Sequence, residues 1–441
     1  MVGPSETDGV AHDPQSVAVI GGGYVGSPTA AMLAHFGHHV VVAEIDPQRR
    51  AQLASGTSPQ LEQGLSELLA STLASGRLRV VADAREAVAG AQFVFLCVAT
   101  PTGSDGRADL SEIDAATEAI RDALAPGAVV VNKSTAPVGT VRRIESILGR
   151  SDVSVVSNPE FLSEGSAVHN SFHPARTVVG AHDAGVGARV AQLFSPTGAP
   201  VIICEPQSAE LIKYAANGFL ATKISFVNSI ARLCDAVDAS IDDVVSALGL
   251  DARIGAAYLS PGPGWGGPCL PKDTTALVTM ASDAGVELST VRASITDNDA
   301  QVGHICDVVG RMSGGSLYGR SVAALGLSFK ARTSDLRASP AVAVCLELAR
   351  RGATVRAYDP ALTRASLTDG LEGVLVVDSL VEAVDGADVV AVLTEWDEFS
   401  RIDWGALVGS MSSPRLYDTR AIVDLDAARA AGFTAWSLGR P

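Results

Sequence analysis

The chain has 441 residues, 47% hydrophobic but only 5% aromatic, and a formal net charge of −16 at pH 7. That length calls for about two to four domains, and cores of Ala, Val, Leu and Ile are those of an α/β protein. The acid excess offers no clustered Lys and Arg, which excludes nucleic acid and anionic membranes as partners.

Residues 1–14 are polar and acidic without an apolar segment, and read as a disordered lead rather than a secretory signal. No run reaches the roughly eighteen apolar residues of a membrane span, so a soluble, cytoplasmic protein is expected. The six cysteines, Cys97, Cys204, Cys234, Cys269, Cys306 and Cys345, show no zinc-type spacing, and no metal is expected. Five lie in apolar runs and read as reduced core thiols. Cys269 stands apart from them.

Over 15–205, an apolar run from Val17 to Ile20 leads into Gly21, Gly23 and Gly26 at GxGxxG spacing, a periodic segment to His35, and a second apolar run ending at Glu44. This is strand, tight turn, helix, strand. The glycines let backbone approach a pyrophosphate, which the helix N-terminus stabilises with free N–H groups. Glu44 stands where a carboxylate accepts from the adenosine ribose hydroxyls and repels a 2′-phosphate, favouring NAD over NADP. Arg49 and Arg50 are cations close enough in sequence to accept such a phosphate instead.

Two further βα repeats follow at 92–102 and 128–140, each ending in a Thr/Pro-rich loop at the carboxyl end of its strand, where parallel sheets bind ligands. Then "SNPEFLSEGSA" (157–167) sets Glu160 and Glu164 four residues apart beside Phe161. On one helical face two such carboxylates would raise one another's pKa; the alternative is an exposed, solvated pair.

From Ser208 to Val237 the absence of proline and the apolar spacing predict one helix of roughly thirty residues, within a central helical region spanning 206–300. Lys213 and Asn217 share one of its faces, and its two-sided apolarity suggests pairing with a second chain. Only five of the 33 basic residues are lysine, Lys133, Lys213, Lys223, Lys272 and Lys330. Where lysine survives, a compact ammonium is the expected requirement. Next comes "PGPGWGGPCLPKD" (261–273), nine of whose thirteen residues are Pro, Gly or Cys. No helix or strand is expected through it, although it carries Cys269, Lys272 and Asp273. Over 301–441 the opening pattern returns: strand 321–327, a loop with Lys330, Arg332 and Arg337 in place of the glycines, a helix from Ser339–Pro340 to Arg351, a strand ending at Asp359, and strands over 388–396 and 415–425. The expected fold is therefore two Rossmann-like, doubly wound parallel-sheet domains joined by a long central helix.

Taken in order, "GGGYVG" (21–26), "NKSTAPVGT" (132–140), "SNPEFLSEGSA", "AELIKYAANGFLATKISFVN" (209–228), the 253–273 segment, "LGLSFKARTSDLRASP" (325–340) and "TEWDEF" (394–399) resemble the UDP-glucose/GDP-mannose dehydrogenase family. The resemblance covers nearly the whole chain and is nearest to the members acting on UDP-glucose. It implies a four-electron oxidation of the sugar alcohol to a carboxylate with two NAD, giving UDP-glucuronate, with GDP-mannose or a UDP-N-acetylhexosamine as alternative substrates. It further implies Cys269 as nucleophile through a thiohemiacetal and thioester, Lys213 and Asn217 as oxyanion donors, Asp273 and Thr135 as holders of a proton-transferring water, and Glu160 as base for thioester hydrolysis.

Cofactor contacts implied in the same way are Gly21, Gly23, Tyr24, Val25, Gly26, Glu44, Arg49, Thr100, Thr135, Glu164, Lys272 and Arg337. Substrate contacts are Glu160, Phe161, Leu162, Lys213, Asn217, Arg253, Tyr258, Gly266, Lys330 and Arg420, over a nucleotide-binding α/β domain at 301–441. A homodimer through the central helix is implied, with Arg253 given to the partner. Ser163, Ser229, Ala331 and Ala421 depart from the family pattern around the sugar and nucleotide. A two-electron hydroxyacid dehydrogenase would need no thiol, and a non-catalytic nucleotide-binding regulator would not need Cys269, Lys213 and Asn217 together.

Overall fold

The computed structural model describes residues 13–103, 105–366 and 370–440, so the lead expected over 1–14 lies outside them except for Asp13 and Pro14. The chain divides into two compact units, residues 1–215 and 216–441. Among the described residues no helix is long and apolar enough to cross a membrane.

The first unit is built on eight strands: β1 (Ser16–Ile20), β2 (His39–Ala43), β3 (Leu78–Val81), β4 (Phe93–Leu96), β5 (Val129–Asn132), β6 (Ser154–Ser157), β7 (Thr177–Gly180) and β8 (Val201–Cys204). Their order is β3-β2-β1-β4-β5-β6-β7-β8. Neighbours pair in parallel, except that β6 meets β7 antiparallel at Ser157 opposite Gly180. Every residue of β4 and β5 is buried. Helices cover both faces, which is why these strands read as unbroken apolar runs. The winding reverses between β1 and β4, and that switch point opens the ligand crevice of such sheets.

The second unit begins within the 32-residue helix Pro206–Val237, two residues longer at its start than the spacing predicts. The helices Ile241–Leu250, Leu270–Asp283 and Ser289–Met312 follow. Then come β9 (Ser321–Leu325), β10 (Thr354–Tyr358), β11 (Val374–Val376), β12 (Val389–Val392), β13 (Arg415–Asp418) and β14 (Thr434–Ser437). They form an all-parallel sheet in the order β11-β10-β9-β12-β13-β14, the winding of the first six strands repeated. Ser339 caps the helix Pro340–Arg350 by accepting from Val342 N–H, as its sequence signal indicates. The expected fold, two doubly wound α/β sheets with a long helix between them in the chain, is the one observed.

Three strands end sooner than expected over 321–327, 388–396 and 415–425, and the last shows why. Asp418, fully buried, accepts from the backbone N–H groups of Arg420, Ile422 and Val423, and so folds the chain back directly after β13. A related device ends β10. Buried Asp359 accepts from Leu327 and Ser328 N–H in the loop after β9, just as Glu44 at the end of β2 accepts from Gly22 N–H after β1. Asp359 also takes Ala361 N–H and the Trp396 indole N–H, so this loop keeps one tight-turn glycine, Gly326 at φ +101°, and is otherwise closed by side chains.

Asp359→Ala would strand two buried amide donors. It should destabilise the second unit by roughly 2–4 kcal/mol, read as a lower denaturant midpoint for that unit; an unchanged midpoint would show that water replaces the carboxylate.

Candidate active site

The three fingerprint glycines have different physical reasons. Gly21 has φ +96°, and a Cβ there would lie 2.7 Å from the Cys97 carbonyl oxygen. At Gly26 a Cβ would fall 1.8 Å from the Gly21 oxygen, so only glycine lets the Gly26–His35 helix start this close to β1. Nothing lies within 4 Å of the Cβ position of Gly23, so its backbone is open to close approach. Tyr24 and Val25 lead into that helix N-terminus.

Glu44 accepts from Gly22 N–H at 2.9 Å and Asp46 N–H at 2.8 Å and pairs with Arg49 at 3.3 Å. A carboxylate has about four lone-pair positions, so room remains for a ribose hydroxyl. Arg50 donates through Nη1 to the carbonyls of Glu44 and Ile45. The Glu44 carboxylate at this point would repel a 2′-phosphate, and the residues fit NAD. The loops after β4 and β5 meet where Thr100 Oγ1 donates to the Thr135 carbonyl at 2.7 Å.

Glu160 and Glu164 do not share a helical face. Residues 158–163 form neither helix nor strand and the next helix starts only at Ala167, so the four-residue spacing carries no helical meaning here. The proline before Glu160 and Gly165 after Glu164, at φ +74°, oppose a helix across this stretch. Glu160 instead forms a buried ion pair with Lys213, Oε1 to Nζ 3.0 Å, the two side chains being 7% and 4% exposed. Its other oxygen accepts from Leu162 N–H. Burial alone would push the Glu160 carboxyl up, but Lys213, that amide and Lys133 outweigh it and hold the pKa below the ordinary carboxylate value. The Phe161 ring carries the Arg176 guanidinium at 3.6 Å and Lys213 Nζ at 5.5 Å from its centroid. Glu160, Phe161 and Leu162 line a cavity of about 210 Å³ with Lys133, Asn158 and Arg176.

In the second unit, Cys269 is not in a structureless stretch. It is the N-cap residue of the helix Leu270–Asp283, with Pro271 in its first turn, where a missing N–H costs nothing. The thiol is exposed, at a helix end whose partial positive charge favours a thiolate. One turn on, Asp273 is almost fully buried and accepts from Asn217 Nδ2 at 2.6 Å and from Lys272 Nζ at 2.6 Å. Lys272 therefore serves Asp273. Lys213 and Asn217 stand one turn apart on the helix Pro206–Val237.

Residues 261–267 before the thiol are buried although they form no regular structure. Their backbone is satisfied by amide side chains: Asn228 accepts from Gly262 N–H, Gln301 donates to the Gly262 carbonyl, and Asn298 bonds both the N–H and the C=O of Trp265. The Trp265 indole donates to Ser225 Oγ. Asn228, Asn298 and Gln301 are supports of this loop that sequence reading missed, because nothing local marks which polar residues of a helix are buried.

A Cβ on Gly266 would lie 2.1 Å from the Ala338 carbonyl oxygen, one on Gly267 would strike the Phe329 ring, and one on Gly262 would lie 2.9 Å from the Arg420 guanidinium. The glycine loop, the 329–338 loop and Arg420 are thus brought together. Arg420 also donates to the Leu393 carbonyl and pairs with Glu395 at 3.2 Å. Lys330 lies over the Phe329 ring at 5.4 Å, and Arg337 is clamped by Asp335. Arg253 and Tyr258 stand outside this cluster: Arg253 is 88% exposed and held by Asp251, and Tyr258 has φ +64° with its side chain exposed.

Sequence profiles described as the NAD binding, central and UDP binding domains of the UDP-glucose/GDP-mannose dehydrogenase family match residues 15–198, 207–300 and 323–425. The chain is 41% identical over 435 residues to a UDP-glucose 6-dehydrogenase of Rhizobium meliloti (strain 1021), covering 96% of this chain and 99% of that protein. It is 40% identical over 433 residues to the UDP-glucose 6-dehydrogenase TuaD of Bacillus subtilis (strain 168), covering 97% and 94%. A solved UDP-glucose dehydrogenase from the hyperthermophilic archaeon Pyrobaculum islandicum superposes with TM-score 0.88 at 34% identity over 100% of both chains. The fingerprint glycines open a dinucleotide crevice in the unit where the NAD binding profile matches, and the thiol-bearing helix falls within the central-domain match. This chain belongs to the UDP-glucose/GDP-mannose dehydrogenase family.

Proposed function

We propose that the chain oxidises the C6 alcohol of UDP-glucose to the carboxylate of UDP-glucuronate, with Cys269 as the covalent nucleophile. The observation that carries this reading is the exposed Cys269 thiol at a helix N-terminus, one turn before the buried Asp273–Asn217 pair. The near-full-length similarity to UDP-glucose 6-dehydrogenases supports the substrate.

NAD, when bound against Gly21, Gly23, Gly26 and Glu44, supplies the hydride acceptor for each of two oxidations. In the first, the alcohol loses a proton and a hydride and becomes an aldehyde. Cys269 adds its sulfur to the aldehyde carbon, and the thiohemiacetal so formed loses a second proton and hydride to become a thioester. Water then attacks the thioester, releasing the carboxylate and regenerating the thiol. Lys213 and Asn217 are assigned as donors to the oxyanion, a role that suits fixed, desolvated donors. Asp273, with Thr135, holds the water that takes the alcohol proton. Glu160, kept ionised by Lys213, takes the proton of the hydrolytic water. Thr100, Glu164, Lys272 and Arg337 complete the NAD surroundings, and Phe161, Leu162, Tyr258, Gly266, Lys330 and Arg420 those of the nucleotide sugar.

The second chain of a homodimer would cover the exposed face of the long helix. Phe219, Phe226 and Leu233 recur every seven residues there at 66%, 51% and 55% exposure, the interval that keeps one stripe facing a partner helix. Arg253, exposed and pinned by Asp251, is the side chain such a dimer would hand to the partner's nucleotide sugar.

With UDP-glucose limiting and NAD in excess, two NADH should form per sugar, with little turnover of GDP-mannose or UDP-N-acetylglucosamine; one NADH per sugar would overturn the four-electron reading. Cys269→Ser should lower carboxylate formation by at least about 10²-fold, and near-normal yield in that variant would remove the thioester. Phe226→Asp should convert a dimer to a monomer in sedimentation velocity, and an unchanged mass would reject this interface.

A further inference from the structure

Lys133 is a buried lysine to which the reaction above gives no task. It directly follows β5, its backbone N–H donates to the Leu96 carbonyl, and its side chain is 7% exposed. A solvated surface role is therefore ruled out. In a chain that uses arginine for most of its cations, a lysine placed here must be justified by what its ammonium touches.

It touches two things. Nζ donates to Asn158 Oδ1 at 3.0 Å and sits 5.2 Å from the Phe194 ring centroid. Both an acceptor oxygen and an aromatic face select the ammonium over the neutral amine. Asn158 is itself tied at two other points: its Nδ2 donates to the Val178 carbonyl of β7 at 2.7 Å, and its backbone N–H donates to the Asn132 carbonyl of β5. Lys133 thus completes a fixed anchor two residues before Glu160, at the start of a segment that forms neither helix nor strand. Lys133, Asn158 and Glu160 line the same cavity of about 210 Å³.

We propose that Lys133 is a positioning residue for the hydrolytic step: its ammonium anchors the Asn158–Glu160 segment and, with Lys213, keeps the Glu160 carboxylate charged in a buried site. This rests on the role proposed for Glu160 as the hydrolytic base.

The groups facing Glu160 come from several elements. Lys213 approaches from the long helix at 3.0 Å, Leu162 N–H from the segment itself, Lys133 from the end of β5, and the Cys97 thiol from the end of β4. Burial pushes the Cys97 thiol up to about 12, so it stays neutral and adds no competing anion near neutral pH. Burial, with Lys213 beside it, also lowers the pKa of Lys133, and with Cys97 neutral the Glu160 carboxylate is the group that opposes this near neutral pH. The sign for Glu160 follows. Its pKa in the folded chain lies below the ordinary value, so the base form persists as the pH falls until that lowered value is crossed. With one of its two cations removed, burial weighs more heavily, and the base form is lost at a higher pH.

The test is the pH dependence of kcat in wild type, Lys133→Met, Lys133→Gln and Glu160→Gln, with folding checked by thermal melts. Glutamine can keep the hydrogen bond to Asn158 but not the charge, so it guards against a methionine variant that fails to fold. Both Lys133 variants should move the acid limb upward by about one pH unit, lower kcat below the shifted limb, and leave the KM for UDP-glucose within about twofold. The limb should be absent from whatever activity Glu160→Gln retains. A merely structural lysine would lower the melting temperature and scale kcat equally at all pH values; an unmoved limb in either folded variant overturns the proposal. The NADH yield separates the two levels. One NADH per sugar in wild type would sink the four-electron reading itself, whereas two NADH with an unmoved limb would sink only the role of Lys133.

Discussion

Amide hydrogens in the loops at the carboxyl ends of parallel strands have no ladder partner, yet they are buried and must be bonded. In this chain the recurring acceptor is a buried carboxylate reaching in from another element. Glu44 holds Gly22 after β1, Glu62 holds Gly165 and Ala167, and Glu210 holds Gly139 and Val141 at the start of the following helix. Asp359 does the same in the second sheet, and Asp418 does it for the loop directly after its own strand. Part of the acid excess is therefore internal, and it shapes the loops in which ligands of such sheets are bound.

Glu160 begins from the same motif, since one of its oxygens accepts Leu162 N–H. What separates it is an ammonium. For Glu210 and Asp418, burial wins over the backbone bonds and pushes the carboxyl up. For Glu160, Lys213 tips the balance the other way and the carboxylate stays charged. A structural acceptor and a proton acceptor thus differ here by buried ammonium groups, Lys213 in direct contact and Lys133 behind it. That pair is also costly to break from one side, since it would leave a lone buried ion.

The two sheets show how one winding serves different ends. After β1 the loop is kept open by glycines whose missing side chains leave backbone accessible at Gly23. After β9 the equivalent loop is closed by Asp359, and its neighbouring cations and glycine contacts come from 262–267, 329–338 and 420. The thiol follows from the same logic. An irregular run can be buried only if its amides are bonded, and Asn228, Asn298 and Gln301 do this for 262–265. Cys269 is thereby delivered to the first turn of a helix.

Much of this was legible along the chain. Alternating apolar runs and helix caps are local signals, so the two α/β units, the fingerprint glycines, the long helix and the Ser339 cap can be read from neighbours in sequence. Motif order was enough to single out Cys269, Lys213, Asn217 and Asp273. The pairing of Glu160 with Lys213 rather than with Glu164, the clamping of Lys272 by Asp273, the seating of Cys269 on a helix and the burial of Lys133 beside Asn158 were not legible. Each depends on residues tens of positions apart, or on which of two local conformations the surrounding bonds select. Local chemistry determined which groups the chain possesses; only tertiary structure, by deciding which of them lose water and which charge they face, determined what state they are in.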